Sequence, residues 1–323
     1  MTLFLKKFLL ALTLGTLLAS AGAAEFPDHA VRIVVPYTPG GFNDTLARVV
    51  GDRLSKTWGQ PVVVDNRPGG NTTIGNGLVA KSPPDGYNIL ITPLPFAALP
   101  GLYGAKLPYD SFKDFTPLVL AANTQNVLVV RNDLPVNNIK EFIEYARKNP
   151  GKINYGSTGS GSSNHLSMEL LMRMTDTKMT HIPYKGSGPA TVAIISGEID
   201  ALFDNLPNVM PHMKSGRVKS IAVTGTQRSA LFPAIPTVAE SGVPGYQVSV
   251  WFGMQVPAGT PKALVDRMNR DIVAILHEPD VARRFREQGV EVIASTPAAF
   301  GQLLQAEIPK WTQVIRDANI TVD

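Results

Sequence analysis

From Val31 onward the chain alternates short apolar runs with helical segments, and it does so in two successive series. In the first, "VRIVVPY" (31–37) leads through a glycine loop into an amphipathic run from Asp44 to Lys56. "VVVD" (62–65), a Gly/Thr-rich loop, a short helix and "NILIT" (88–92) come next. "FTPLVLAA" (115–122) and "NVLVVR" (126–131) follow one another almost without a break, and then comes the helix "IKEFIEYARKN". The pattern restarts at "KINYGS" and continues through "HLSMELLMRM", "MTHIPY", "PATVAIISG", "ALFD", "NVMPHMKSG" and "VKSIAVTG". Short apolar strands alternating with helices predict α/β architecture with mostly parallel sheets. Two series predict two similar domains. No low-complexity linker separates them, so strands or tight crossovers must join them. "YQVSVWFGMQVPAG" (246–259) is a candidate connecting strand. Three helical runs close the chain, with Thr260-Pro261 and Thr296-Pro297 each suggesting an N-cap followed by proline at N1. The expected architecture is two lobes, a cleft between them and a hinge at the strand connections.

The 323 residues, 44% of them hydrophobic, suffice for two such cores. The N-terminus has a different character. "MTLFLKK" is a short basic start, and "FLLALTLGTLLA" has about the length of a signal h-region. Ala21-Gly22-Ala23 fits an A-x-A cleavage site, so residues 1–24 are expected to be a cleaved signal peptide and the mature protein to be periplasmic. No cysteine is present, which excludes disulfides, thiol nucleophiles and a lipid-modified cysteine at the signal junction. Without Lys6 and Lys7 the chain has 28 basic and 26 acidic residues, with no run of either. A nucleic-acid partner is therefore not expected.

Five loops follow strands and are candidates for chemistry. "PYTPGGFND" (36–44) ends the first strand and starts the first helix. Open α/β sheets bind ligands at the carboxyl ends of their strands, and helix N-termini favour anions. Gly40 and Gly41 let the backbone approach a ligand, and Asn43 lies beside them. Asp44 either contributes to the site or complements the helix dipole and pairs with Arg48 four residues on. Phe42 either lines a pocket or staples the helix start. "NRPGGNTTIG" (66–75) carries Arg67, which could meet a carboxylate or form a structural ion pair. "ITPLPFAALP" (91–100) is a stiff, proline-rich loop in which Thr92 supplies a hydroxyl. "ALFDNLP" (201–207) ends a strand at Asp204 and Asn205, which either read a ligand or cap the next helix.

The remaining loop, "NYGSTGSGSSNH" (154–165), contains Ser157, Thr158, Gly159, Ser160, Gly161 and Ser162. No lysine occurs between Lys152 and Lys178, so it is not a Walker loop. The third position of a G-x-G-x-x-G fingerprint is Asn164, and a G-x-S-x-G elbow is absent. Ser160 or Ser162 with His165 raises a hydrolase alternative, but a histidine at a helix start beside serines is ordinarily a capping or packing residue. What remains is a hydroxyl-rich cup at a helix N-terminus. One glycine loop in each lobe, both starting helices after strands, makes a trap for a small anion. The five histidines are scattered without metal-ligand spacing, and no carboxylate pair stands out, so no metal, cofactor or enzymatic activity is expected.

The motifs "VRIVVPYTPGGFNDTLAR", "VVVDNRPGGNTTIG", "SPPDGYNIL", "LPYDSFKDFTPL", "NYGSTGSGSSNHL", "HIPYKGSGPA", "IAVTGTQRS", "PTVAESGVPGYQ" and "WFGMQVPAGTP" cover nearly the whole mature chain. Together they closely resemble the periplasmic substrate-binding proteins of tripartite tricarboxylate transporters, the Bug family. The resemblance implies a two-domain Venus flytrap of type II-like fold. In it, residues 124–247 form an inserted second domain, and residues 25–123 with 248–323 form the first. It implies a carboxylated ligand held by main-chain N–H groups, hydroxyls and water. The matching positions are Gly40 to Asp44, Ser157 to Ser163, the loop after "NILIT", and Asp204 with Asn205. At Phe42 it implies a ligand-facing position, where a large ring should narrow the pocket. The protein is further expected to be a monomer that docks transiently on a membrane transporter. The same residues suit a flytrap whose closure signals to a membrane sensor kinase, which is the alternative output.

Overall fold

The structure is a computed structural model that describes residues 26–322. The expected signal peptide lies outside these residues. Eleven strands among them form two sheets. The first takes β1 (Val31–Val35), β2 (Val62–Asn66), β3 (Asn88–Pro93), β4 (Phe115–Thr124), β10 (Val250–Pro257) and β11 (Glu291–Val292), in the order β11-β4-β10-β3-β1-β2. The second takes β5 (Asn126–Val130), β6 (Asn154–Ser157), β7 (Thr180–Pro183), β8 (Ala201–Asn205) and β9 (Lys219–Val223), in the order β7-β6-β8-β5-β9. Only Gln125 separates β4 from β5, so the chain passes from one sheet to the other with almost no connecting loop.

Each sheet is mixed. β1 pairs in parallel with β2 and β3, and β6 pairs in parallel with β7 and β8, as βαβ crossovers require. β10 runs antiparallel to β3 and β4, and β5 runs antiparallel to β8 and β9. These two reversed strands follow the passages between the sheets. Neither is reached through a crossover helix on its own sheet, so right-handed βαβ geometry does not set its direction. All eight residues of β10 are buried, as suits a central strand covered on both faces.

The helices that matter for the site start at the carboxyl ends of parallel strands. α1 (Phe42–Trp58) follows β1, and α2 (Thr73–Ala80) follows β2 and a short 3-10 turn at Gly70–Thr72. α3 (Pro95–Tyr103) follows β3, in the stretch expected to be a stiff loop. Pro95 occupies the first turn, where its missing N–H costs nothing. Phe96, Ala97, Ala98 and Leu99 are fully or almost fully buried, and that packing holds a helix despite Pro100 inside it. In the second sheet α5 (Ser163–Thr175) follows β6, α6 (Ser187–Ser196) follows β7 and α7 (Leu206–Lys214) follows β8, while α4 (Ile139–Lys148) follows the antiparallel β5.

The tail forms α8 (Lys262–Leu276), α9 (Pro279–Glu287) and α10 (Pro297–Asp317). Thr296 caps α10 by accepting from the Ala299 N–H, with Pro297 at N1 as expected. Thr260 does not cap α8; its hydroxyl donates to the Pro257 carbonyl at 2.7 Å, and Pro261 takes the N-cap position. One core cluster packs α1, α8 and α9 against the first sheet. Another runs continuously from the first sheet through α3 and α10 to α4, α5 and the second sheet.

Candidate functional site

Parallel neighbours present their carboxyl ends on the same edge. β1, β2 and β3 therefore bring the loop before α1, the turn at Gly70–Thr72 and the start of α3 to one edge of the first sheet. β6, β7 and β8 likewise bring the 158–162 loop, the start of α6 and the Asp204-Asn205 pair to one edge of the second sheet. The two edges meet. Asn71 Nδ2, from the first, donates to the Ser160 carbonyl of the second at 2.9 Å. A Cβ on Gly161 would lie 2.4 Å from Leu102 Cδ1, so this loop is in close contact with the end of α3. Gly161 has φ +76, a left-handed conformation that glycine adopts without strain.

On the first edge, Gly41 is the N-cap of α1 and provides no side-chain cap. Cβ atoms at Gly40 and Gly41 would meet nothing within 4 Å, so this backbone borders open space. Asp44 is committed within the protein. Its carboxylate accepts from Arg48 Nε and Nη2, both at 2.9 Å, from Asn66 Nδ2 at 3.0 Å and from the Gly40 N–H at 3.2 Å. Burial alone would raise its pKa, but these donors hold the carboxyl below its usual range. Arg67 is paired with Asp65 at 2.9 Å. Arg48 and Arg67 therefore both have carboxylate partners. Phe42 is 9% exposed and packs on Phe252 and Phe285, with ring centroids 4.6 and 5.1 Å away. Its ring thus joins the core under α1. Asn43 and Thr92 each bury a polar atom, Oδ1 and Oγ1 respectively, that has no partner among the described residues.

On the second edge, most of the hydroxyls in the cup serve the loop itself. Ser157 Oγ accepts from the Gly159 N–H at 3.0 Å and lies 2.5 Å from His181 Nε2. Thr158 Oγ1 donates to Asn164 Oδ1 at 2.7 Å. Ser162 is the N-cap of α5, its oxygen accepting from the His165 N–H. A Cβ at Gly159 would meet nothing within 4 Å, whereas the side chain of Ser160 is nearly buried. Asn205 Nδ2 donates to Asn126 Oδ1 at 2.6 Å and to Ser163 Oγ at 3.2 Å.

Asp204 is fully buried. Its Oδ1 accepts from the Asn205 N–H, Asn164 Nδ2, Ser187 Oγ and Asn208 Nδ2. Its Oδ2 has no partner among the described residues. Burial pushes the carboxyl above its ordinary range, and the four donors only partly offset this.

Asn71, Leu102, Asn126 and Asn164 also serve these edges, although no local motif gives them that role. Asn71 and Thr72 are non-glycine residues at φ +50 and +76, a conformation that a β-branched residue such as Thr72 rarely adopts. The tandem glycines before them were the available signal, since they mark a turn in which neighbouring residues are drawn into left-handed geometry. No group of three or more His, Cys, Asp or Glu suited to a metal ion occurs among the described residues.

Comparison with known proteins accounts for this arrangement. Residues 46–320 match the model of the tripartite tricarboxylate transporter family receptor. A structure of an R. palustris protein with adipate is 37% identical, with a TM-score of 0.84 covering 92% of this chain and 100% of that one. The periplasmic binding protein BugD is 35% identical, with a TM-score of 0.82 covering 91% and 99%. MatC from Rhodopseudomonas palustris, solved with bound malate, is 33% identical, with a TM-score of 0.81 covering 90% and 100%. With the family model spanning most of its length and its fold shared with these binding proteins, the chain belongs to the tripartite tricarboxylate transporter receptor family, whose Bug-type members are periplasmic solute-binding proteins rather than enzymes.

Proposed function

We propose that the protein captures a small dicarboxylate between its two sheets and delivers it to a membrane transporter. The observation that carries this reading is a set of buried polar atoms without partners among the described residues: Asn43 Oδ1, Thr92 Oγ1 and Asp204 Oδ2. They belong to residues on the two edges joined by the Asn71–Ser160 bond. Leaving such groups unsatisfied costs roughly 1–3 kcal/mol each; the Thr92 hydroxyl can donate to a carboxylate directly, whereas Asn43 Oδ1 and Asp204 Oδ2 are acceptors that water bound with the ligand would satisfy. The uncapped N-terminus of α1 adds N–H groups suited to a carboxylate. Because Arg48 and Arg67 are already paired, the ligand is held by N–H groups and neutral polar side chains, not by an arginine clamp. The malate and adipate of the related structures are both dicarboxylates, which supports that ligand class.

In this reading the ligand contacts are drawn from Gly40, Gly41, Asn43, Thr92, the Gly159–Ser160 backbone and Asp204. Residues 124–247 are the inserted lobe, and Gln125 and the segment before β10 are its hinges. The mature protein starts near residue 25 and works as a monomer in the periplasm.

Calorimetry on the mature protein with malate, adipate, citrate, glutamate and benzoate tests the capture step. Micromolar binding of a dicarboxylate is the expected result. Binding of sugars or cations with no response to any carboxylate would overturn it. Delivery is tested in a deletion strain, which should lose uptake of the bound acid. A strain that keeps uptake but loses a transcriptional response to the acid would assign the protein to signalling instead.

A further inference from the structure

Beneath the 158–162 loop lies a buried polar network that the capture reading does not use. His165, in the first turn of α5, is almost fully buried. Its Nδ1 accepts from the Gly161 N–H at 3.1 Å. A ring nitrogen that accepts carries no proton, so the proton of the neutral ring sits on Nε2. That Nε2 faces Glu169 Oε1 at 3.4 Å, and the same oxygen accepts from the Tyr155 hydroxyl at 2.5 Å. Burial opposes the charge on Glu169, but His165 and Tyr155 hold its carboxyl below the usual range, so it is an acceptor at neutral pH. An ionised carboxylate accepts from Nε2–H and disfavours the other tautomer.

His181 stacks on His165 with ring centroids 3.9 Å apart and planes 9° from parallel. It also meets Ser157, whose oxygen accepts from the Gly159 N–H. Two glycine N–H groups on either side of Ser160 are thus tied down from below, through adjacent stacked rings. Ser160 is the residue whose carbonyl accepts from Asn71 of the other lobe.

We propose that His165 is a positioning residue for ligand capture: its Nδ1, the ring nitrogen turned away from Glu169, anchors the Gly161 N–H and so sets where the loop meets the opposite lobe. His165 does not touch the ligand in this scheme. It acts through Gly161 and Ser160, with Tyr155 and Glu169 as the outer support. The inference rests on the capture reading above for its effect on affinity, but the anchor itself lies within one lobe and can be measured without ligand.

The test compares His165→Leu with His165→Asn. Asparagine places its carboxamide oxygen near the position of Nδ1 and can accept from Gly161; leucine cannot. With malate or adipate as the probe in calorimetry, His165→Leu should bind about tenfold more weakly. His165→Asn should return to within about threefold of the unaltered protein. Thermal melts of both variants control for folding. Equal weakening in both variants, or no weakening in either, would overturn the proposal. The second measurement needs no ligand. Imidazole nitrogen NMR should show His165 with its proton on Nε2, and exchange of the Gly161 amide should speed up in the leucine variant only. A proton on Nδ1, or unchanged Gly161 exchange in the leucine variant, would overturn the proposal equally. If no carboxylate binds the unaltered protein, the capture reading fails while the NMR comparison still decides the anchor.

Discussion

Single residues in this site divide between those that hold the loops and those with capacity to spare. Asp44 commits its carboxylate to Arg48, Asn66 and the Gly40 N–H, whereas Asp204 leaves Oδ2 without a partner among the described residues. The difference shows in their ionisation. Asp204 is raised by burial, so its neutral form is the one that favours folding. That contribution is complete below the ordinary aspartate range and is lost as pH rises through the elevated value. Asp204→Asn keeps an Oδ1 acceptor for the four donors and cannot ionise. The melting temperature of the ligand-free unaltered protein should therefore fall relative to Asp204→Asn as pH is raised above the ordinary carboxylate range; parallel pH profiles would contradict this. Phe42 supplies a second check. With its ring packed on Phe252 and Phe285, Phe42→Ala should cost about 3–5 kcal/mol of stability by denaturant titration. A loss below about 1 kcal/mol would return the ring to the pocket wall. The sequence left both roles open because a residue at a helix start can face either way, and only the positions of Phe252 and Phe285 decide.

At the scale of elements, local periodicity was legible wherever strands and helices bury one face. The strands beginning at Val31, Val62, Asn88 and Asn154 coincide closely with the apolar runs. The helix at Pro95–Tyr103 did not show, because its prolines argue locally for a loop while its stability comes from the burial of Phe96 to Leu99. Helix packing also explains a glycine that propensity would exclude from a central strand. A Cβ on Gly253, in the middle of β10, would lie 2.1 Å from the ring of Phe300 on α10. Phe300 is fully buried and also packs edge-on against Trp251, so it has little room to move. Gly253→Ala should therefore destabilise the protein by about 1–3 kcal/mol, seen as a lower melting temperature, although alanine suits strands no worse than glycine. An unchanged melting temperature would mean that α10 can shift away from β10.

For the whole molecule, the decisive contact is the one between lobes. Asn71 holds a strained left-handed backbone and donates across to Ser160. Arg173 of α5 pairs with Asp317 of α10 at 2.6 Å, and a Cβ on Gly289 would lie 2.5 Å from Leu206, so further contacts tie the lobes together. Asn71→Gly relieves the strain and removes the cross-lobe bond at once. Its stability should hold or rise by up to about 1 kcal/mol, while affinity for malate or adipate should fall roughly fivefold. Affinity that holds in that variant would show that closure does not depend on this bond. The candidate loops were legible in the sequence because glycine, proline and hydroxyl residues mark the turns after strands. Their internal bonding was not, since nothing local tells Ser157 that His181 lies beside it. By itself, then, the sequence determined two α/β series, the strands and most of the helices in them, and the loops at the strand ends, because hydrophobic period and turn chemistry act over a few residues. Only the tertiary structure decided that β5 and β10 run against their neighbours, which hydroxyls are spent inside the loop, and that Asn71 meets a carbonyl 89 residues away. Those outcomes depend on contacts between distant segments, and such contacts form only when both sheets and the helices between them are packed.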